Sequence, residues 1–380
     1  MKILHVIPYF NPQRGGDVNV CYHITKHLVK LGHDVTIFTT DFEFDEKFAR
    51  TLNGVRVVPI HCYINMQLFL YAPLMKKKLK KEINNFDIIH VHDFRTYQNI
   101  VIHRYAKKFG IPYILQAHGD IPILSEKQTL KKLYDIVWGK RILNDASKII
   151  ALTSIESKQY IAMNADGKKI EIVPNGIDLN EYNNLPKKGE FRKIYSIRKD
   201  EKIILFLGRL HQIKGINLLV DAYSELIKEL FNVRLVIVGP DEGSLSTLKR
   251  QITSLNISDK VLFTGPLYEI DKLRAYVDAD VYVLPSIYET FPNTVLEAWT
   301  CGTPVIVTKG CSISDIVENA GCVVNYNKYE LKNAIIKVLR NDEEIKMLKE
   351  NGKRLITQTF NIDSCINKIV ELYRQFISGE

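Results

Sequence analysis

Short runs of aliphatic and β-branched residues recur along the chain, each followed by a longer stretch with apolar residues at helical spacing. In the first half these runs are KILHVI (2–7), DVTIFT (34–39), VRVVPI (55–60), DIIHVH (87–92), PYILQ (112–116), KIIALT (148–153) and IEIVP (170–174). In the second half they are KIILFLG (202–208), VRLVIVG (233–239), KVLFTG (260–265), DVYVLP (280–285), PVIVT (304–308) and GCVV (321–324). Runs that are apolar at nearly every position predict strands covered on both faces, and helices between them predict parallel pairing. The series restarts after VPNGIDLNEYNNLPKKGE (173–190), whose polar, turn-rich composition predicts a linker. The expected fold is α/β, with two doubly wound Rossmann-like domains at 1–175 and 176–359 facing a central cleft. The tail at 360–377 has apolar residues at 362, 366, 369, 370, 373, 376 and 377, an amphipathic helical pattern. Periodicity alone leaves open which domain that helix covers. In open parallel sheets, ligands bind beyond the carboxyl ends of the strands, so chemistry is sought just after each run.

Composition narrows the class. With 380 residues, 46% hydrophobic and 25% charged, the chain has room for two ordinary cores. No apolar run reaches the roughly 18–20 residues that span a bilayer. The opening MKILHVIPYF breaks at Pro8 and has no small-residue cleavage site, so it is expected to be a first strand. Six cysteines are scattered without a CxxC pair, which suits reduced thiols in a cytoplasmic protein.

The net charge of +9 is uneven. Residues 1–180 hold 25 Lys and Arg against 17 Asp and Glu, or +8; the remainder hold 27 against 26, or +1. Part of the excess is the run Lys76, Lys77, Lys78, Lys80 and Lys81, preceded by Leu68, Phe69, Leu70, Leu74 and Met75. An apolar segment leading into lysines suggests a peripheral contact with the anionic inner face of a membrane; a solvated helix end is the plainer alternative. No aromatic interleaving accompanies the charge, so no nucleic-acid partner is expected.

Two stretches carry candidate chemistry. After the first strand of the second half, GRLHQIKG places Arg209 and Lys214 beside a helix start, a plausible clamp for a diphosphate. In YETFPNTVLEA, Glu289 precedes Pro292 and Glu297 follows it, with Phe291 between. Pro292 is expected to open a helix that Gly302 closes. The N–H groups near Asn293, Thr294 and Val295 would then form an anion site between two carboxylates suited to sugar hydroxyls. That combination describes a nucleotide-sugar site. By contrast, DAD (278–280) ends a helix pattern and is not expected to bind metal. His90 and His92 share a strand face, but no third ligand is evident, which favours a structural or acceptor-side role. The chain lacks GxGxxG after its first strand, and any GxxxxGK[ST] or GxSxG, disfavouring dinucleotide oxidoreductases, P-loop NTPases and α/β-hydrolases.

YETFPNTVLEA resembles the E-x7-E signature of retaining glycosyltransferases with the GT-B fold, most of all glycosyltransferase family 4. GRLHQIKG is similar to that family's Gly-Arg…Lys-Gly element, VPNGID to its hinge, NPQRGGDVNV to its glycine loop and QAHGD to its histidine loop. The resemblance implies that Gly15 and Gly16 meet the donor phosphate and that Arg209 and Lys214 stabilise the leaving diphosphate. It also implies that Glu297 binds the ribose, that Glu289 sits at the transferred sugar, and that His118 lies near it. The donor would be a UDP- or GDP-sugar, with no cofactor and no metal. The acceptor would be a glycan or lipid-linked intermediate of cell-surface polysaccharide or glycoconjugate synthesis. The terminal helix would pack back on the first domain. Two features depart from the pattern: Pro292 follows Phe291 where many members have glycine, and GPDEG (239–243) replaces a Gly-x-Gly. A nucleotide-sugar epimerase of similar fold is the competing class, and a lectin-like binding module a third.

Overall fold

The runs fold as parallel strands. In the computed structural model, which describes residues 1–66, 69–122 and 128–377, the strands of the first half are β1 (Lys2–Val6), β2 (Asp34–Thr40), β3 (Val55–Ile60), β4 (Ile64–Met66), β5 (Phe69–Tyr71), β6 (Ile88–His92), β7 (Tyr113–Gln116), β8 (Lys148–Ala151) and β9 (Ile170–Ile172). Seven of them form one parallel sheet in the order β3-β2-β1-β6-β7-β8-β9. β4 and β5 form a separate antiparallel hairpin, which the hydrophobic pattern did not predict. The second half contributes β10 (Lys202–Leu207), β11 (Val233–Val238), β12 (Val261–Gly265), β13 (Val281–Leu284), β14 (Val305–Thr308) and β15 (Gly321–Val324), ordered β12-β11-β10-β13-β14-β15. The chain divides into two compact units, Met1–Gly176 with Asp363–Glu380, and Ile177–Ile362.

Each sheet reverses its winding once, between β1 and β6 in the first unit and between β10 and β13 in the second. At such a switch point the loops leaving two neighbouring strands diverge to opposite faces and leave a crevice. Gly15 and Gly16 follow β1, Asp93 follows β6, Arg209 follows β10 and Glu289 follows β13. The topology alone thus carries the chemically interesting residues to the ligand-binding end of each sheet.

The basic helix Leu74–Glu82 corrects one expectation. Leu70 and Met75 are fully buried in the first unit's core, so neither is available for insertion into a bilayer. Leu74 is exposed, as are Lys77, Lys80 and Lys81, and Lys78 pairs with Glu82 at 2.8 Å. Leu68 lies outside the described residues. No helix among the described residues is long and apolar enough to cross a membrane.

The DAD tripeptide has a tethering job. Asp278 is 1% exposed and accepts the backbone N–H groups of Gly189 and, at 2.9 Å, Arg192. The Arg192 guanidinium in turn reaches the Asp278 carbonyl at 3.3 Å and the Asp280 carboxylate at 3.0 Å, and Asp280 accepts the Ile203 N–H at 2.8 Å. Both carboxylates therefore fasten the start of the second unit to the ends of β10 and β13. Asp278→Ala leaves one buried and one part-buried donor without an acceptor and should cost about 3 kcal/mol, read as a lower urea midpoint for unfolding. A midpoint equal to that of the unmodified chain would show that the segment docks without it.

Candidate active site

In the second unit, three glycines allow strand-end loops to touch backbone to backbone. At Gly215 (φ +64), a Cβ would sit 2.0 Å from the Pro285 carbonyl oxygen; at Gly310 it would meet the Ile287 carbonyl at 2.1 Å. At Gly239 (φ +148), it would sit 1.8 Å from the Gly208 carbonyl. The β10 loop therefore lies directly on the end of β13, where the Ile287 N–H bonds the Ile213 carbonyl at 2.8 Å. The loop after β13 is pinned on its other side: Glu289 N–H donates to Gly310 at 2.9 Å, and Ser312 N–H donates to the Glu289 carbonyl at 2.8 Å.

This close packing brings Lys214 and Glu289 into direct contact, Nζ against Oε2, with side chains only 14% and 15% exposed. Ser286 adds a hydroxyl donor to the same carboxylate oxygen at 3.4 Å. Arg209 is held differently. Its guanidinium meets Glu242 at 2.8 Å in the open, half-exposed. An exposed pair of this kind contributes about 1 kcal/mol or less, so Arg209 can exchange Glu242 for a phosphate at little cost. Glu242 is presented by the GPDEG loop, in which Asp241 accepts the N–H groups of Gly243, Ser244 and Leu245 at 2.9, 3.0 and 3.0 Å. Those bonds hold the Asp241 carboxyl below the usual range.

The helix after Glu289 runs Asn293–Thr300, so Pro292 is its N-cap and not its first helical residue. The Val295 N–H bonds the Pro292 carbonyl at 3.0 Å, which removes it from the set of first-turn amides expected to face an anion. The side chain of Phe291 turns into the core, its ring 6.0 Å from that of Phe360. Thr294 is fixed through its hydroxyl, 2.7 Å from Tyr282 Oη, which also donates to the Leu207 carbonyl at 3.2 Å. The helix ends in a Schellman turn: Gly302 (φ +75) donates to Trp299 at 3.0 Å and Thr303 to Ala298 at 2.8 Å. One turn into this helix, Glu297 receives Lys272 Nζ at 2.6 Å and Tyr276 Oη at 2.9 Å. Burial lowers the Lys272 pKa, but the Glu297 carboxylate beside it more than reverses this, and the net shift is upward.

The first unit builds its loops on strain. Asp93 (φ 63), Arg95 (φ 61) and His118 (φ 52) all adopt left-handed backbone, each at a cost of about 1–3 kcal/mol. The His118 loop is clamped on both sides: Ala117 N–H donates to Tyr160 Oη at 3.0 Å, and Gly119 N–H to Glu156 at 2.8 Å. Glu156 also accepts the Leu152 N–H at 2.6 Å; burial, opposed by these two bonds, pushes its carboxyl up to about 7. Arg95 forks onto Asp135 with two 2.8 Å bonds and holds the carbonyls of Asp120 and Ile121. Gly15 caps the helix Gly16–Lys30 in an extended conformation open to any residue, with no side-chain cap. Beside it, burial and then the carboxyls of Asp17 and Asp120 push Asp93 well above the usual carboxylate range.

Comparison with known proteins places the chain in a family. The profile described as Glycosyltransferase Family 4 matches residues 14–181, and that described as Glycosyl transferases group 1 matches residues 187–355. The chain belongs to the family 4 glycosyltransferases of GT-B fold. A D-inositol 3-phosphate glycosyltransferase of Kineococcus radiotolerans is 26% identical, covering 80% of this chain and 75% of its own. An Escherichia coli UDP-Gal:alpha-D-GlcNAc-diphosphoundecaprenol alpha-1,3-galactosyltransferase is 26% identical, covering 78% and 77%. Among solved structures, Anabaena HepE in complex with UDP and glucose superposes with a TM-score of 0.82 at 20% identity, covering 99% of this chain and all of its own.

In this glycosyltransferase the structure therefore brings Lys214 and Glu289 together at the switch point, while Arg209 in the same loop as Lys214 pairs with Glu242 and Glu297 lies in the helix that follows Glu289. Sequence reasoning missed Glu242, which pairs with Arg209, and Lys272 and Tyr276, which hold Glu297. The acidic GPDEG loop was the only available signal for Glu242. Lys272 and Tyr276 lie at i and i+4 of one helix, a spacing that points both at one neighbour. Replacing Arg209 or Lys214 with Ala should lower kcat/KM for the sugar donor by about 100-fold, with folding preserved, as steady-state kinetics would read. Near-normal turnover in both variants would remove them from the site.

Proposed function

We propose that this glycosyltransferase moves a hexosyl group from a UDP- or GDP-sugar with retention of anomeric configuration and without a metal ion. The observation that carries this reading is the β10 loop at the β10/β13 switch point, which sets Lys214 against Glu289 and leaves Arg209, five residues before it, on the half-exposed Glu242. A departing nucleoside diphosphate gains charge as the glycosidic bond breaks, and preorganised cations beside it stabilise that charge most where water is scarce. Lys214 suits the task because it is already partly buried. In the working mechanism the acceptor oxygen attacks the anomeric carbon from the face that the phosphate leaves, and its proton passes to the departing phosphate oxygen. Glu289 accepts a hydrogen bond from a hydroxyl of the transferred sugar, and Glu297, oriented by Lys272 and Tyr276, accepts from the ribose. Gly15 and Gly16 offer backbone N–H groups to the phosphate. Support for a nucleotide-sugar donor comes from the Anabaena structural neighbour, which holds UDP and glucose.

The acceptor is a lipid-linked glycan reached from the membrane surface. Support comes from the first unit, where Lys77, Lys80 and Lys81 are exposed and Leu130, Leu133 and Ile136 stand in solvent at 63%, 55% and 70%. One assay tests donor, metal and acceptor together. UDP- and GDP-sugars are incubated with the full chain and with either polyprenyl-diphosphate sugars in anionic vesicles or soluble sugar phosphates, with and without EDTA. Transfer to the lipid-linked acceptor, undiminished by EDTA, is the expected outcome. Loss on chelation with recovery on Mn²⁺ would overturn metal independence, and turnover only with soluble acceptors would overturn the membrane reading. Conversion of the donor sugar with no acceptor would favour an epimerase.

A further inference from the structure

A groove of about 220 Å³ lies on the helix Tyr97–Phe109 of the first unit. The helix contributes positions 97, 100, 101, 104 and 105, the i, i+3, i+4, i+7, i+8 set that forms a single face. That face starts four residues after Asp93, at the ligand-binding end of the first sheet, and runs for roughly 12 Å at 1.5 Å per residue. Phe69 and Tyr71 of β5, Lys76 of the basic helix and Trp138 complete the wall. Trp138 stands in a single π turn, Asp135–Gly139, next to exposed Ile136 and Val137; such turns recur at functional sites. The Tyr97 ring is 4.9 Å from that of Tyr71 and 6.0 Å from that of Phe69, with Lys76 Nζ 5.7 Å from its centre.

Tyr97 is 5% exposed, yet its hydroxyl has no hydrogen-bond partner among the described residues. Burial, then the phenols of Tyr71 and Tyr105, push its pKa up to about 12, so the oxygen keeps its proton and is a donor in need of an acceptor. Neither Lys76 nor Arg104 pairs with a carboxylate among the described residues. The nearby carboxylates are taken by other cations: Glu82 by Arg56 and Lys78, and Asp145 by His103 and Lys107. Two unpaired cations and a buried O–H call for an anion. The walls of Phe69, Ile100, Val101 and Trp138 call for an apolar body beside it. The volume falls short of the roughly 300–1,000 Å³ that takes a whole small ligand, so the groove fits one segment of a longer molecule.

We propose that this groove is the subsite for the phosphate-proximal isoprenoid units of a polyprenyl-diphosphate acceptor. Lys76, Arg104 and the Tyr97 hydroxyl take the diphosphate oxygens, and Phe69, Ile100, Val101 and Trp138 cover the first carbons of the chain. The inference rests on the reading of the acceptor as lipid-linked. A sugar ring fits less well, since its hydroxyls would face aromatic and aliphatic walls that offer them no hydrogen bond. A free nucleotide fits less well too, because the groove has no carboxylate for ribose hydroxyls. The exposed Leu133, Ile136 and Val137, with Lys132, Lys140 and Arg141 on the same segment, give the rest of the chain an apolar and basic surface to follow.

The test uses the full chain and geranyl diphosphate, a short, water-soluble prenyl diphosphate. Trp138 is the reporter, since Trp299 is buried in the second unit. Titration should shift tryptophan emission to the blue and saturate, and the shift should vanish in Trp138→Phe. Arg104→Gln or Lys76→Gln should weaken binding about tenfold, and Tyr97→Phe about fivefold. Inorganic diphosphate, lacking the chain, should compete at least about tenfold more weakly. With a polyprenyl-diphosphate sugar as acceptor, Arg104→Gln should raise the acceptor KM about tenfold and move kcat less than about twofold. A shift that persists in Trp138→Phe, equal affinity for inorganic diphosphate, saturable binding of a methyl glycoside in its place, or native affinity in the Arg104 and Tyr97 variants would each overturn the proposal. Transfer to the lipid-linked acceptor with an unchanged KM in all three variants would keep the reading of the acceptor and overturn the groove. If geranyl diphosphate binds as stated but transfer runs only to soluble sugar phosphates, the prenyl-diphosphate groove stands and the lipid-linked acceptor is what fails.

Discussion

Everything at the second unit's switch point depends on backbone approaching backbone where a side chain would intrude. Gly215 lies against the Pro285 carbonyl and Gly310 against the Ile287 carbonyl, each closer than any Cβ permits. Those contacts bring the β10 loop down on the β13 end, and they are what put Lys214 against Glu289. The charge pair is therefore a consequence of packing. A partly buried lysine and glutamate stabilise each other only when their geometry is fixed in advance, since each gives up hydration to be there.

The first unit solves a related problem with polar clamps. The left-handed residues Asp93, Arg95 and His118 need compensation from their surroundings. That compensation comes from Glu156 and Tyr160 gripping the amides on either side of His118, and from the buried Arg95–Asp135 fork holding the next two carbonyls. Strain held in place by hydrogen bonds gives the loop one conformation.

The parallel strands were legible because strands buried on both faces write themselves as unbroken apolar runs, and every run of that kind became a sheet strand. The β4/β5 hairpin was not legible: INM and FLY are too short and too irregular for either period, and Leu70 packs inward where a run of lysines suggested a surface. Arg209 with Lys214, and Glu289 with Glu297, could be read as two short motifs because the members of each lie within eight residues of one another; that the two motifs meet across 75 residues is the work of the sheet. Their partners Glu242 and Lys272 could not, since the pairing is made by the sheet's crossovers between segments 25 to 33 residues apart. The histidines of the first unit show the same limit. His90 and His92 were visible as a pair on one strand, but His5 and His118 join them only through neighbouring strands, each 2.9 Å from His92, nitrogen to nitrogen. The missing third group was 87 residues away.

On this reading, loop contact at Gly215 is what assembles the diphosphate clamp. Calorimetric titration of UDP and GDP into Gly215→Ala, beside the native chain, tests it most directly. A Cβ 2.0 Å from the Pro285 oxygen must push the β10 loop away and part Lys214 from Glu289. The prediction is at least about tenfold weaker binding of whichever nucleotide the native protein prefers, in a variant whose circular dichroism is unchanged. Nucleotide affinity equal to that of the native chain would contradict it, showing that the clamp forms without that contact.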